Sequence, residues 1–201
     1  MGGMEIILLG NRNRTTRDVD IAVDVRLADL LATLAQDVRV YRPSRIAAAG
    51  SGVARIYVLT GGTNQEPVRR LAVEVDLILP GHQGTPRSLT GATEVLSLNT
   101  EFGPRSWYTL SLQYLFRSKL RAYNQREGRR DFNDLVWLCF NFPDNIRQFS
   151  PRLDEGLRSF FFAAYRQTGP PESELGFIYG VLGRPRPLSS SSSSSQGRSR
   201  R

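Results

Sequence analysis

The chain contains 201 residues, of which 40% are hydrophobic, and carries a formal net charge of +8 at pH 7. This length accommodates one domain, or a small α+β pair of domains around a shared cleft. No apolar run reaches the roughly 18 residues that a membrane span requires. The single cysteine (Cys139) and the single histidine (His82) exclude a disulfide framework and a Cys/His zinc site. We therefore expect an intracellular, cytoplasmic protein with no signal peptide and no membrane partner.

The basic residues are almost all arginines, and Lys119 is the one lysine among the 27. An arginine excess can reflect genomic base composition alone, so it does not by itself indicate a nucleic-acid partner. A basic surface nevertheless favours a partner that carries phosphate groups.

The chain begins with a glycine pair, Gly2-Gly3, which we predict to form a tight turn whose amides face an anion. Residues 4–9 are then predicted to form a short helix that ends at Gly10. The alternative interpretation is a flexible start that contains incidental glycines.

The first predicted strand covers residues 18–24, where apolar and acidic side chains alternate. Val19 and Ile21 point to one face, and Asp18 and Asp20 point to the other. The two acidic residues lie roughly 6–7 Å apart at Cα. Their carboxylates repel each other unless a cation lies between them, and hard oxygen ligands suit Mg²⁺. The alternative is an ordinary strand with an exposed polar face.

A later strand, residues 71–79, alternates in the same way and places Glu74 and Asp76 on its polar face. If this strand neighbours the first one with the acidic faces on the same side, three or four carboxylates lie together. Both residues are candidates for the third carboxylate, and we choose Asp76 because the surrounding Val-Asp-Leu-Ile sequence fits better.

The remaining elements are predicted from the spacing of apolar residues. Helices are predicted over residues 27–37, 108–124, 131–141 and 153–166, a strand over 55–60, turns or loops over 47–52 and 61–64, and a last apolar segment over 175–182. Residues 82–106 are predicted to be loop-rich, with one short strand at 94–98, and Pro143 is predicted to stop a helix. The predicted organisation is an α/β core over residues 1–106, a helical region over 107–183 and a disordered Ser/Arg tail over 184–201.

Lys119 lies on the apolar stripe of the predicted helix over residues 108–124. Its ammonium group either reaches water at the edge of the stripe or points into a cleft. Asp131 and Asp134 share a face of the following helix, where Asp131 could also act as a cap. If Lys119 points into the cleft, Lys119→Met is expected to weaken the binding of a phosphate-bearing ligand with little loss of stability.

Together these motifs resemble the nucleotidyltransferase superfamily, which shares its fold with DNA polymerase beta. The family pattern is a glycine turn, a helix, an Asp-x-Asp strand and a third carboxylate on a neighbouring strand. The matching positions are Gly2-Gly3, Asp18-Val19-Asp20 and Val75-Asp76-Leu77.

The local form Arg14-x-Thr16-x-Asp18-x-Asp20 is similar to that of AbiEii-type toxin nucleotidyltransferases and their stand-alone relatives, some of them fungal. Those proteins also carry a helical half with a Lys-Leu pair and a later Asp-x-x-Asp-Leu motif. Lys119-Leu120 and Asp131-Phe132-Asn133-Asp134-Leu135 match it, with Arg126 between them. The resemblance covers about residues 2–138.

The resemblance implies an α+β fold, with a mixed β-sheet core followed by a helical half, and transfer of a nucleoside monophosphate from a nucleoside triphosphate to an acceptor hydroxyl on an RNA end or a protein. It implies that Asp18, Asp20 and Asp76 hold Mg²⁺ or Mn²⁺ and that the glycine amides cradle the triphosphate. It also implies that the remaining motif residues bind the nucleotide: Arg14, Thr16, Lys119, Asp131 and Asp134. The alternative is a catalytically inactive binding module with the same fold.

Overall fold

The computed structural model of the protein describes residues 2–42, 52–62, 69–101 and 103–183. Within these ranges the chain forms a mixed sheet, a separate hairpin and a helical C-terminal half, which confirms the predicted α+β class. The tail predicted over residues 184–201, most of the loop predicted over 47–52 and half of the turn predicted over 61–64 lie outside the described ranges.

The N-terminal half is built around a four-stranded sheet. Its elements are α1 (Gly2–Leu8), β1 (Asp18–Ala22), α2 (Leu27–Leu34), β2 (Val40–Tyr41), β3 (Val53–Thr60) and β4 (Leu71–Ile78). The strand order is β1-β4-β3-β2, in which β1 is parallel to β4 and the other neighbours are antiparallel. Strand β2 is absent from the sequence-based prediction because two residues are too short to show a periodicity.

One face of this sheet is apolar and packs against α2. Its buried members lie on β3 and β4: Ala54, Ile56, Val75 and Leu77. The leucines of α2 pack against them at helical spacing: Leu27, Leu30, Leu31 and Leu34. Because successive strand residues point to opposite faces, the acidic side chains of β1 and β4 face the other way, towards the helical half.

A hairpin follows the sheet, formed by β5 (Thr93–Thr100) and β6 (Gly103–Leu110). The short strand predicted at residues 94–98 lies within β5, and residues 82–92 contain no helix or strand, as predicted. The prediction of a loop is wrong for the start of β6, which begins at Gly103. The hairpin was hard to recognise because β6 begins with Gly103 and Pro104, and because large side chains such as Tyr108 are exposed on it. The helix predicted to start at residue 108 starts at Leu112 instead.

The C-terminal half consists of helices around one apolar core. They are α3 (Leu112–Arg126), α4 (Arg129–Asn141), α5 (Pro143–Phe149), α6 (Glu155–Gln167) and α7 (Glu172–Leu182), with a short 3-10 turn at Ser150–Arg152. Pro143 separates α4 from α5 as predicted, but it also begins α5, since proline is well accommodated at the first helical position. No helix in the described part of the chain is both long and apolar enough to cross a membrane.

Helix α1 packs against the helical half as well as against β1. Ile6 on α1 is completely buried in the same apolar cluster as Leu115, Phe116 and Leu135. The first helix therefore joins the sheet to the helical core, and a cleft opens between these two parts.

Candidate active site

Acidic side chains from two neighbouring strands meet on the polar face of the sheet. The parallel register pairs Asp18 of β1 with Glu74 of β4, and Asp20 with Asp76. Asp18, Glu74 and Asp76 each offer a carboxylate oxygen that lies within 4.8 Å of those of the other two. Both candidates for the third carboxylate thus belong to the same cluster.

These carboxylates form a donor set that suits a divalent cation. Carboxylate oxygens are the ligands that Mg²⁺ and Mn²⁺ prefer. Burial, followed by the negative charge of Asp18, raises the pKa of Asp20, so the acidic face carries an electrostatic cost that a cation would relieve. The residues present therefore fit a metal ion.

Arg55 on β3 also lies on this face, and the sequence analysis missed it. Its guanidinium group contacts Asp76 through Nε at 2.8 Å and Nη2 at 3.0 Å, and contacts Glu74 through Nη1 at 2.9 Å. Hydrogen bonding to Asp76 raises the pKa of Arg55. An arginine on a strand can face an acidic residue across the sheet, but the local sequence does not show which strand lies next to β3.

The glycine pair lies directly beside the acidic face. Gly2 has a φ of +72°, and a Cβ atom there would collide with the carboxylate of Asp20. A Cβ atom on Gly3 would lie 2.8 Å from both Nη2 of Arg14 and Oγ1 of Thr16. The prediction of a turn that precedes the helix is wrong: both glycines belong to the first turn of α1.

Thr16 and Arg14 connect the glycines to the rest of the site. The hydroxyl group of Thr16 donates a hydrogen bond to Oδ1 of Asp18 at 2.8 Å, which orients that carboxylate. Nε of Arg14 donates to Oδ1 of Asp134 at 3.0 Å. These two residues thus contact one predicted site residue on the sheet and one on α4.

Lys119 on α3 is buried among acidic side chains. Its Nζ atom lies 2.6 Å from Oδ2 of Asp134 and 3.2 Å from Oδ1 of Asp131. Asp131 also accepts a hydrogen bond of 2.7 Å from Nε of Arg126. Burial acts to raise the pKa of Asp131, but the hydrogen bond from Arg126 and the charge of Lys119 outweigh it and hold that pKa below its ordinary value.

The sheet face and the helical half enclose a cleft of about 540 Å³. Most of the predicted site residues line it: Gly2, Gly3, Arg14, Thr16, Asp18, Asp20, Asp76, Lys119 and Asp131. Arg126, Arg129 and Arg130 add positive charge to its helical wall. Asp134 does not line the cleft and reaches it only through its ion pairs with Arg14 and Lys119.

A buried glutamate, Glu5 of α1, borders a second cavity of about 310 Å³ between α1, β1 and the hairpin. Its side chain is almost inaccessible, and burial raises the pKa of its carboxyl group to about 7. Asp20 lines both cavities and separates them. The sequence analysis missed Glu5, because an acidic residue in a first helical turn is ordinarily explained by the helix dipole.

No protein-family model and no curated protein matches the sequence. Solved structures of two Helicobacter pylori proteins are similar to it. JHP933 has a TM-score of 0.45 and 16% identity over 89% of this chain and 68% of its own. A protein provisionally described as a nucleotidyltransferase has a TM-score of 0.43 and 14% identity over 89% of this chain and 71% of its own. These values describe a remote likeness, and the function proposed below rests on the site.

Proposed function

We propose that this chain is a metal-dependent nucleotidyltransferase. It moves a nucleoside monophosphate from a nucleoside triphosphate to an acceptor hydroxyl group, which belongs either to an RNA end or to a protein. The observation that carries the proposal is the register of β1 on β4, which gathers Asp18, Asp20, Glu74 and Asp76 on one sheet face beside a cleft with basic walls. The order of the motifs along the chain, which resembles that of AbiEii-type nucleotidyltransferases, agrees with it.

The metal, Mg²⁺ or Mn²⁺, would be held by Asp18 and Asp76, whose carboxylate oxygens lie together with one of Glu74. Asp20, the register partner of Asp76, would complete the predicted set. When bound, such an ion neutralises charge on the attacking and leaving oxygens of an in-line displacement. Thr16 contributes by fixing the orientation of the Asp18 carboxylate.

Side chains around the cleft would bind and orient the triphosphate. Gly2 and Gly3 keep the first turn of α1 free of side chains beside Asp20, so that an anionic group can approach the backbone. Arg14 and Lys119 would neutralise phosphate oxygens. Asp131 and Asp134 would hold the Lys119 ammonium group in place, since both carboxylates contact it.

The alternative is a binding module with the same fold and no catalysis. The contact of Arg55 with Asp76 and Glu74 favours it, because a side-chain cation already neutralises two of the carboxylates that the enzyme needs. On this alternative, nucleotide binding is independent of a divalent ion.

The experiment is an incubation of the full chain with each α-labelled nucleoside triphosphate, Mg²⁺ or Mn²⁺, and either total RNA or lysate protein. We expect label transfer to one acceptor class, and a loss of at least about 100-fold, or 2.7 kcal/mol of transition-state stabilisation, in Asp18→Asn and Asp20→Asn. Asp29→Asn, on the exposed surface of α2, is the matched control and should retain full activity.

Two outcomes would reject the enzyme. Transfer that is undiminished in Asp18→Asn would place the chemistry elsewhere. Nucleotide binding without transfer to any acceptor, and without dependence on a divalent ion, would support the binding module instead.

A further inference from the structure

The polar face of the sheet continues beyond the acidic cluster as two rows of side chains. The strand registers put Asp20, Asp76 and Arg55 in one row. The second row crosses all four strands and contains Asp18, Glu74, Tyr57 and Tyr41. The second row thus leads from a carboxylate on β1 to an aromatic residue on β2, at the far edge of the sheet.

The two tyrosines at the end of this row are stacked. Their ring centroids lie 5.2 Å apart and their planes differ by 14°. Tyr41 is 44% exposed, although an aromatic ring is usually buried when it serves packing alone. The neighbours of these residues in the chain, Val40 and Val58, pack on the opposite, apolar face. The tyrosine pair therefore lies outside both apolar cores.

The pair is also connected to the acidic cluster. The hydroxyl group of Tyr57 lies 3.3 Å from Oε2 of Glu74, to which it donates a hydrogen bond. Neighbouring strands are about 4.8 Å apart, so Tyr41 lies on the order of 10 Å from Glu74 across the sheet. A group stacked on Tyr41 is thus close to the carboxylates without blocking them.

The two ends of the second row would serve different reactants: the donor nucleotide at the β1 end and the acceptor at the tyrosine end. Gly2 and Asp20 lie on the β1 side, where the triphosphate would bind, while Tyr57 and Tyr41 lie beyond β4, on β3 and β2. An acceptor would then reach the carboxylates from the tyrosine side. This step rests on the proposed function, because it takes the glycine side as the site of the donor nucleotide.

We propose that Tyr41 and Tyr57 form a stacking platform for a base near the end of a single-stranded RNA acceptor. Bases stack on exposed aromatic side chains whatever their sequence, because every base has a π-face. The arginines on the helical wall of the cleft, Arg126, Arg129 and Arg130, favour a polyanion over a neutral polypeptide.

The test is the binding of a fluorescein-labelled single-stranded RNA to the full chain, measured by anisotropy with Mg²⁺ and without any nucleoside triphosphate. We expect Tyr41→Leu to bind about tenfold more weakly, which corresponds to about 1.4 kcal/mol. Tyr41→Phe should bind within about twofold of the wild type, because it retains the ring. The slope of affinity against salt should not change in Tyr41→Leu, since the phosphate contacts remain.

Tyr108→Leu is the matched control, because Tyr108 is 83% exposed but lies on the hairpin, outside the row. It should bind RNA as the wild type does. Equal binding by Tyr41→Leu and wild type, or equal losses in Tyr41→Leu and Tyr108→Leu, would overturn the platform. So would transfer to a protein acceptor that is unchanged in Tyr41→Leu, although the proposed transferase would then stand. RNA binding that depends on Tyr41 in a chain that transfers no label would support the platform and reject the transferase.

Discussion

Arg55 and Asp76 form a bidentate ion pair across neighbouring strands, in which Nε and Nη2 of the arginine each donate a hydrogen bond to one carboxylate oxygen. Because a third nitrogen contacts Glu74, one guanidinium group neutralises much of the charge that a divalent ion would otherwise neutralise. Arg55 and the ion therefore compete for the same oxygen atoms.

Replacing Arg55 by glutamine should strengthen the binding of Mn²⁺ to the full chain by about three- to tenfold. The expected gain is modest because the arginine side chain is 41% exposed, and half-exposed ion pairs contribute about 1 kcal/mol or less. Titration calorimetry with Mn²⁺ measures the effect. Arg26→Gln, which removes an exposed pair with Asp29 on α2, should leave the affinity unchanged. Weaker Mn²⁺ binding in Arg55→Gln would contradict competition.

Gly2→Ala should disrupt the acidic face, because the new methyl group collides with the Asp20 carboxylate and the backbone holds a φ of +72°. We expect a loss of unfolding free energy of more than about 1 kcal/mol together with weaker Mn²⁺ binding. Gly10→Ala is the control, since Gly10 also has a positive φ but nothing lies within 4 Å of its Cβ position. It should cost stability alone. Equal Mn²⁺ binding in the two variants would show that Gly2 does not shape the site.

The sequence predicted the fold class and most of the strands and helices, because the alternation around Asp18 and Asp76 and the helical stripe around Lys119 are strong local patterns. The hairpin and the position of Arg55 could not be predicted in this way. Both depend on strand pairing, and pairing is decided by register and by contacts between residues far apart in the chain. The burial of Glu5 is a similar case, since it follows from the packing of α1 between two other elements.

Lys119→Met should destabilise the protein by about 2–3 kcal/mol, because it removes one partner from two buried carboxylates. The loss is moderated because Arg126 and Arg14 still pair with Asp131 and Asp134. This loss of stability is larger than the sequence analysis predicted, which was little loss for Lys119→Met. Urea unfolding measures it, with Arg121→Met on the same helix as a control outside the cleft. Unchanged stability in Lys119→Met would mean that the buried pairs contribute nothing net.

Glu5 should make stability depend on pH. Its folded pKa of about 7 lies above the ordinary value of 4.5, so the folded state holds a proton that the unfolded state releases. The free energy of unfolding should therefore fall as the pH rises from about 4.5 to 7, by about 3 kcal/mol. Glu5→Gln, which cannot ionise, should lack this part of the pH dependence in urea unfolding at pH 5 and pH 8. Parallel pH profiles for the two proteins would contradict a neutral, buried Glu5.

The position of Ile6 has a consequence for how the protein is made. This side chain is buried in a cluster whose other buried members all belong to residues 115–182. A nascent chain that has just emerged up to the hairpin therefore cannot yet bury α1, although the sheet strands are already outside the ribosome. The end of the cleft beside Gly2 and Gly3 is completed only when α3 and the later helices have been translated, which delays assembly of the site until the chain has been synthesised through Leu182.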